Sequence, residues 1–421
     1  MHILWLKTEL LHPVDKGGKI RTYNMLKELR REHHVTYLTL DDGSGSEDAR
    51  ERAVEYCHEL ITVPHRTRPK FTPGFYVELA TNLVSRLPYF MKKYESAGMR
   101  REISRLTARE TFDVLVCDFL QPSINVPPQL NCASVLFQHN VEAMIWQRHY
   151  EVQKHPLKKA YLYGQWLKSR AYERAACRRF DGVVAVSRED CETMRREYGV
   201  EKVEDVPTGV DTEYFRPHGR ETRDPFNLVF TGSMDWLPNE DAIRYFTEEV
   251  LPRVRERVPQ VTLTVVGRNP SASLVALGQR DASIVVTGRV EDVRPYMERA
   301  SAYVVPIRVG GGTRLKIYEA MAMELPIVST TVGAEGLPIA DGAELLIADE
   351  PEAFADRIVR LVTDEPYARA LALRGATLVR EQFGWSKVAQ SFADICERAR
   401  TRRALSHQTS TPLEENARAT I

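Results

Sequence analysis

Residues 305–338 read VPIRVGGGTRLKIYEAMAMELPIVSTTVGAEGLP. The stretch opens within an apolar, β-branched run at 302–307 that predicts a buried strand. Three glycines at 310–312 permit positive φ angles and let a ligand approach the main-chain N–H groups closely. Thr313 stands where a helix N-cap is expected, and 314–323 is a good helix-forming run. A strand, a glycine loop and a helix N-terminus in this order predict an anion site.

The charges around this helix start favour a diphosphate as the anion. Arg314 and Lys316 place two cations in the first turn, where helices usually avoid them, so a bound anion would supply the missing negative charge. Glu319 follows on the same helix, within reach of a neutral polar part of the ligand. The alternative is an ordinary strand–helix connection, with glycines that serve packing and charges that face solvent.

The stretch resembles the donor-site signature of the GT-B nucleotide-sugar glycosyltransferases, specifically family four of the retaining enzymes, the group 1 glycosyltransferases. In that signature a Glu, seven residues and a second Glu bracket the loop and the helix. Glu319 matches the second Glu, which in the family usually contacts the donor ribose. The first Glu falls on Gly311, so this chain departs from the pattern there. The glycine-rich form followed by Thr-Arg-Leu-Lys resembles a sugar transferase subgroup associated with exopolysaccharide assembly.

Length and composition limit the class of protein. A chain of 421 residues with 43% apolar composition can bury ample core and is expected to form two domains. A net charge of zero argues against a nucleic-acid protein. Six scattered cysteines without a Cys-x-x-Cys pair predict reduced thiols, with neither disulfides nor a zinc site. The sequence has no pattern of a signal peptide or a membrane span, so we expect a cytoplasmic protein.

The N-terminal half opens as a βαβ unit. Predicted strands at 2–7 and 35–40 flank a helix at about 20–32, which is the start of a doubly wound sheet. Gly17 and Gly18 lie between the first strand and the helix. The family resemblance implies that these glycines face the donor phosphate or the acceptor, and a simple tight turn is the alternative.

His139 is the candidate catalytic histidine. The sequence His139-Asn140-Val141-Glu142 follows a predicted strand that begins at Ala133, so it lies at a carboxyl edge, where open α/β sheets bind ligands. Such a histidine can donate to a sugar hydroxyl or share a proton near neutral pH. The resembling family places a His over the donor sugar, and His139 is the best match. A structural histidine with satisfied hydrogen bonds is the alternative.

The segment 205–217 reads DVPTGVDTEYFRP and resembles the hinge of the family. We therefore expect an N-terminal acceptor-side Rossmann-like domain at 1–208 and a nucleotide-sugar-binding domain at 218–384. The resemblance implies that the last helix, at 386–404, packs back on the first domain. Residues 405–421 lack apolar periodicity and are expected to be disordered.

The second domain repeats the alternation of strands and helices, which predicts a parallel sheet. Glycines follow three of its predicted strands, at Gly232, Gly267 and Gly288, and would converge on one nucleotide pocket. The family usually has an Arg and a Lys after the first of these strands, but this chain reads GSMDWLPNEDA at 232–242, so Arg314 and Lys316 are expected to substitute. The candidate catalytic residues are His139, Arg314 and Lys316, and the candidate donor-binding residues are Gly17, Gly18, Gly232, Gly267, Arg268, Arg289, Val290, Gly311, Gly312, Thr313 and Glu319.

Together these features predict an α/β protein of GT-B architecture, with two Rossmann-like, doubly wound domains facing a central cleft. The resemblance implies a retaining hexosyltransferase that moves sugar from a nucleoside diphosphate sugar, foremost a UDP-sugar, to a lipid-linked or saccharide hydroxyl. Cations and N–H groups would stabilise the leaving diphosphate, so neither a metal nor another cofactor is expected. The alternatives are a nucleotide-sugar 2-epimerase of the same fold and a non-catalytic sugar-nucleotide-binding protein.

Two basic stretches raise the question of a membrane surface. Residues 66–105 hold nine Lys or Arg against three Glu, and residues 147–179 hold nine against two. Basic helices with interleaved aromatic side chains can lie on an anionic membrane. One interpretation of the two stretches is therefore that the protein associates peripherally with the inner face of the membrane. A solvated surface is the other.

Overall fold

The structure is a computed structural model that describes residues 1–15, 17–66, 72–219, 221–309 and 315–409. It divides into two compact units, one formed by Met1–Pro207 with the chain from Val388 onward, the other by Thr208–Lys387. Four predicted site residues, Gly311, Gly312, Thr313 and Arg314, lie outside the described residues.

Unit 1 is built on a seven-stranded parallel sheet in the order β3-β2-β1-β4-β5-β6-β7. Its strands are β1 (His2–Lys7), β2 (His34–Asp41), β3 (Glu59–Pro64), β4 (Val114–Asp118), β5 (Ala133–Phe137), β6 (Gly182–Ala185) and β7 (Val203–Asp205). Its helices before residue 208 are α1 (Gly17–Glu32), α2 (Pro73–Leu83), α3 (Tyr89–Lys92), α4 (Ala97–Arg109), α5 (Glu142–Val152), α6 (Pro156–Arg179) and α7 (Arg188–Tyr198).

The strand order reverses direction between β1 and β4. The chain moves outward from β1 through β2 to β3, then returns to place β4 on the other side of β1. Open α/β sheets bind ligands at the carboxyl ends of the strands at such a reversal, because the loops there diverge. In unit 1 the residues at this point are Lys7 and Asp118, the last residues of β1 and β4.

Unit 2 has a six-stranded parallel sheet in the order β10-β9-β8-β11-β12-β13, and its reversal falls between β8 and β11. The strands are β8 (Asn227–Thr231), β9 (Thr262–Val266), β10 (Ile284–Gly288), β11 (Ala302–Val305), β12 (Ile327–Ser329) and β13 (Leu346–Ile347). The helices are α8 (Leu237–Tyr245), α9 (Leu251–Arg257), α10 (Ala272–Arg280), α11 (Arg294–Arg299), α12 (Leu315–Ala322), α13 (Pro351–Thr363) and α14 (Glu365–Leu378).

The last helix, α15 (Trp385–Thr409), leaves unit 2 at Lys387 and belongs to unit 1 from Val388. Phe392 packs its ring 5.4 Å from that of Trp5 and 5.0 Å from that of Phe137, in the core beneath β1 and β5. Arg398 and Arg402 both pair with Glu204 of β7. The helix thus covers part of the unit 1 sheet with an aromatic contact and fixes its edge with ion pairs.

The predicted α/β fold is confirmed, and the differences are local. Gly17 and Gly18 form the first turn of α1, whereas the sequence had predicted a glycine loop with the helix beginning at about residue 20. The helix α15 continues to Thr409, so the first residues of the segment predicted to be disordered are helical. All six cysteines are buried free thiols. Among the described residues, no helix has both the length and the apolar content needed to cross a bilayer.

Candidate functional site

The carboxyl edge of unit 2 gathers several of the predicted donor-binding residues. Gly232 follows β8 and Gly267 follows β9, and the Gly232 amide donates to the Val266 carbonyl (2.9 Å). A Cβ at Gly267 would overlap the carbonyl oxygen of Gly232. The glycine is therefore required here by the close approach of two main chains.

Lys316 lies beside the end of β8. Its ammonium donates to Asn239 Oδ1 (2.9 Å) and sits 4.1 Å from the centroid of the Phe230 ring. A Cβ built on Gly232 would lie 2.8 Å from Lys316 Nζ, so the glycine leaves the space that this cation occupies. The side chain of Asn239 in turn donates to the Ser233 carbonyl (2.8 Å). A cation from α12 is thus held at the strand end where the sequence GSMDWLPNEDA has none.

Glu319 is on α12, three residues after Lys316, and is half-buried. Burial raises the pKa of its carboxyl to about 7, and the charge of Lys316 opposes this rise. The Tyr303 hydroxyl is close enough to feel the charge of this carboxyl. Burial is the main cause that raises the pKa of Tyr303, and the charge of Glu319 adds to the rise. Tyr303 joins β11 to β8 through a hydrogen bond with Thr231 Oγ1 (2.6 Å). Glu319 is thus placed beside the strand reversal of unit 2, with the pKa of its carboxyl raised by burial.

The remaining predicted donor residues lie along the same sheet edge. Arg268 is exposed, and its Nε donates to Ser233 Oγ (2.8 Å), which ties the loop after β9 to the loop after β8. Arg289 and Val290 follow β10, the edge strand of the sheet. Arg289 is exposed, whereas Val290 packs against the core of unit 2.

Unit 1 holds a buried charged cluster at its own strand reversal. Asp118 Oδ2 accepts hydrogen bonds from Lys7 Nζ (2.7 Å), Trp5 Nε1 (3.0 Å) and Thr22 Oγ1 (2.6 Å). Lys7 and Asp118 are 2% and 0% exposed. Burial lowers the pKa of Lys7, and it would raise that of Asp118, but Lys7 and His139 together hold the pKa of Asp118 well below its usual value.

His139 is the fourth partner of this carboxylate. Its Nε2 lies 2.7 Å from Asp118 Oδ1, and Arg21 donates to its Nδ1 over 3.3 Å. The ring therefore carries its proton on Nε2 and accepts at Nδ1. Burial lowers the pKa of His139 to about 3, even though Asp118 acts to raise it. Both ring nitrogens thus have partners within unit 1, and burial favours the neutral imidazole. The predicted contact of His139 with the donor sugar stays a prediction.

Phe119 completes the cluster. Its backbone is left-handed (φ 72°), and its ring stacks on that of His139 with centroids 3.7 Å apart. The Lys7 ammonium lies 4.1 Å from the same ring. A Cβ on Gly18 would come within 2.8 Å of the Phe119 ring, whereas one on Gly17 would meet open space. Of the glycine pair, Gly18 is therefore needed for packing against the cluster.

Sequence analysis missed Lys7, Asp118, Trp5, Arg21 and Asn239. A signal existed for two of them, because Lys7 and Asp118 are each a charge that ends an apolar strand. Within the described residues no group of metal-ligating side chains could hold a metal ion.

Two family models match this chain. The model described as Glycosyltransferase Family 4 matches residues 16–214, and the model described as Glycosyl transferases group 1 matches residues 225–364. The matched ranges fall in the two units and leave only residues 1–15, 215–224 and 365–421 outside.

Relatives differ in how much of their length they share with this chain. An uncharacterized 44.6 kDa protein in the cps region of Klebsiella pneumoniae is 19% identical over 400 residues, with 92% of this chain and 98% of that protein covered. A D-inositol 3-phosphate glycosyltransferase of Streptomyces bingchenggensis is 31% identical over 245 residues, which cover 51% of this chain and 52% of that protein. This chain thus spans about half the length of the Streptomyces enzyme.

Solved structures establish the fold. Anabaena Alr3699/HepE in complex with UDP superposes with a TM-score of 0.64 at 13% identity, covering 94% of this chain and 100% of that one. The same Anabaena protein has also been solved in complex with UDP-glucose. With one family model on each unit and a GT-B glycosyltransferase fold throughout, the chain belongs to the family 4, group 1 glycosyltransferases.

Proposed function

We propose that the protein is a retaining, metal-independent hexosyltransferase. It would move a sugar from a UDP-sugar to a hydroxyl of a lipid-linked or saccharide acceptor, in the cytoplasm, during exopolysaccharide biosynthesis. The observation that carries the donor site is Lys316, whose ammonium is held at the end of β8 beside the strand reversal of unit 2. The Anabaena complexes with UDP and UDP-glucose support a uridine nucleotide as the donor. The cps region of the Klebsiella relative supports the exopolysaccharide context.

Lys316 would act on the leaving diphosphate. Negative charge grows on that group as the glycosidic bond breaks, so a cation aimed at it stabilises the transition state more than the ground state. The sequence assigns the same task to Arg314 and to the amides of residues 311–313. Gly232 and Gly267 keep the strand ends free of side chains, so that a diphosphate can approach the main chain.

Glu319 would bind the donor ribose. A carboxyl with a pKa of about 7 can donate a hydrogen bond to a ribose oxygen when protonated and accept one when ionised. Arg268, Arg289 and Val290, at the ends of β9 and β10, would lie beside the nucleotide, with main-chain groups of the last two reading the base.

His139 would have a positioning role at the edge of the unit 1 sheet. Because its ring nitrogens are held by Asp118 and Arg21, we assign it the role of shaping the unit 1 edge at the strand reversal, and no proton transfer. Gly17 and Gly18 belong to the same edge. A loss of turnover in His139→Ala without a change in donor affinity would fit this role.

Calorimetric titration tests the donor site. UDP, GDP, ADP and dTDP would be titrated into the wild type, Lys316→Ala and Glu319→Gln. A charge-assisted hydrogen bond is worth about 1.5–3 kcal/mol, so Lys316→Ala should weaken binding of the preferred nucleotide by roughly tenfold to a hundredfold. Glu319→Gln should have a smaller effect, because it alters a bond to a neutral group.

Arg299→Ala is the matched control. It also removes one cation from unit 2, but Arg299 precedes β11, at the amino edge of the sheet, where it pairs with Glu221. Wild-type affinity for every nucleotide in Lys316→Ala would overturn the donor site. Incubation with the UDP-sugar alone separates the epimerase alternative, since only an epimerase converts the donor to an isomer.

A further inference from the structure

The outward face of α2 is apolar. Three large apolar side chains of the helix are exposed: Tyr76 by 55%, Val77 by 62% and Leu83 by 60%. Val84, the C-cap residue that follows the helix, is 91% exposed. These positions recur at helical spacing, so they form one face, and the helix has no Lys or Arg. A surface helix normally turns its polar face to water. Here the single buried residue of the helix is polar, Asn82, so the usual arrangement is inverted.

This inverted helix is held firmly on α6. Gln165 donates to the Asn82 side-chain oxygen (2.9 Å), and Lys168 donates to the main-chain oxygens of Asn82 (2.7 Å) and Leu83 (3.2 Å). The last carbonyls of α2 are therefore capped by a cation. The apolar face is a fixed part of unit 1.

The first half of α6 extends the same surface. Leu157 is 78% exposed and Leu167 is 44% exposed. Leu157 and Leu167 lie ten residues apart, close to three helical turns, on the side adjoining Lys168, which contacts α2. We name these exposed side chains the α2–α6 face; it consists of Tyr76, Val77, Leu83, Val84, Leu157 and Leu167.

The rim of the α2–α6 face is cationic. Exposed Arg86 follows α2, and exposed Lys154 and Lys158 stand at the start of α6. The two carboxylates of these helices, Glu78 of α2 and Glu173 of α6, accept hydrogen bonds within the protein and are not fully exposed. Glu173 is buried and accepts hydrogen bonds from two amides of α5. Glu78 is half-buried and accepts one from the Tyr89 hydroxyl.

We propose that the α2–α6 face binds an anionic lipid bilayer. Anionic headgroups would meet the cationic rim while the apolar side chains enter the boundary between headgroups and acyl chains. A second copy of the chain fits less well, because a symmetric contact would bring two cationic rims together. The proposal does not depend on the donor site, which lies in unit 2, and it would bring the acceptor-side unit to lipid-linked acceptors.

Vesicle flotation tests the proposal. The full chain would be mixed with phosphatidylcholine vesicles, with or without about a third phosphatidylglycerol, at low and high salt. The wild type should float with the anionic vesicles at low salt and less at high salt. Val77→Asp/Val84→Asp and Lys154→Glu/Lys158→Glu should each weaken this binding at least tenfold.

Leu373→Asp is the matched control, since Leu373 is 43% exposed on α14 of unit 2. It should float as the wild type does. Thermal unfolding of each variant shows whether it is still folded, and nucleotide titration shows whether the proposed donor site is intact. Weaker vesicle binding by a variant that passes both controls is then due to the changed α2–α6 face. Binding that is equal for all variants, or absent in the wild type, would overturn the proposal. The proposal would also be overturned if the wild type bound no vesicles but formed a dimer in sedimentation velocity, and if Val77→Asp/Val84→Asp dissociated that dimer.

Discussion

Replacing Asp118 by Asn should strongly destabilise unit 1. Its carboxylate is 0% exposed and faces the buried ammonium of Lys7 at 2.7 Å. The substitution keeps the shape of the side chain but removes the negative charge. The Lys7 ammonium would remain at a site where burial already lowers its pKa.

The expected cost follows from this geometry. Removing one partner of a buried ion pair costs about 3–5 kcal/mol, because the other charge stays buried without its counterion. The Phe119 ring under Lys7 offsets at most about 2 kcal/mol of this. Replacing both charges, in Lys7→Met/Asp118→Asn, removes the uncompensated ammonium and should cost less than the single substitution.

Urea unfolding followed by circular dichroism measures the free energies, and hydrogen exchange at the amides of β1 and β4 assigns the change to unit 1. The design is a double-mutant cycle of the wild type, both single variants and the double variant. If Asp118→Asn lies within about 1 kcal/mol of the wild type, or if the double variant is as unstable as the sum of the singles, the pair does not hold opposite buried charges.

Three further outcomes are expected. His139 has its pKa lowered to about 3 by burial, so the unfolded chain binds its proton first, and stability should fall as pH drops from about 6.5, by up to about 1.4 kcal/mol per pH unit relative to His139→Gln. Glu319 has its pKa raised to about 7 by burial, so the folded chain binds its proton first, and as pH rises from about 4.5 to 7 the wild type should lose stability relative to Glu319→Gln. Parallel pH-dependent urea titrations of the wild type and both variants check the two outcomes. Gly267→Ala should lower the free energy of unfolding far more than Gly17→Ala, since only the first added methyl meets the backbone of Gly232.

Much of the fold was predictable because its signals are local. Short β-branched runs separated by helical periods predicted both parallel sheets, and the strands predicted at 2–7, 35–40 and 302–307 are present as β1, β2 and β11 with small differences at their ends. The strand ends were also predictable, since a polar residue or a glycine that ends an apolar run marks a carboxyl edge. The position of His139 just after β5 followed from such a run.

The partners of His139 were not predictable in the same way. Asp118 lies 21 residues before His139 along the chain, and Lys7, which pairs with the same carboxylate, lies 132 residues before it. The three side chains come together only because β4 is placed between β1 and β5. Strand order is set by how the whole sheet buries its helices, and a sequence window contains no such information. Without Asp118, a histidine at a strand end is equally compatible with a titrating group and with a locked neutral ring.

At the proposed donor site, the sequence predicted the cation Lys316 but not its partner Asn239. From sequence, the loop after β8 lacks the cations that the family usually has there, and Arg314 and Lys316 were expected to substitute for them. The side chain of Lys316 reaches back from α12 to Asn239, which is 77 residues earlier in the chain, and places an ammonium beside Gly232. The cation at this strand end is thus supplied by a segment distant in sequence and not by the loop that follows the strand. A cation is therefore better searched for around a strand end than within the loop that follows it, because a diphosphate responds to the position of a charge and not to its place in the chain.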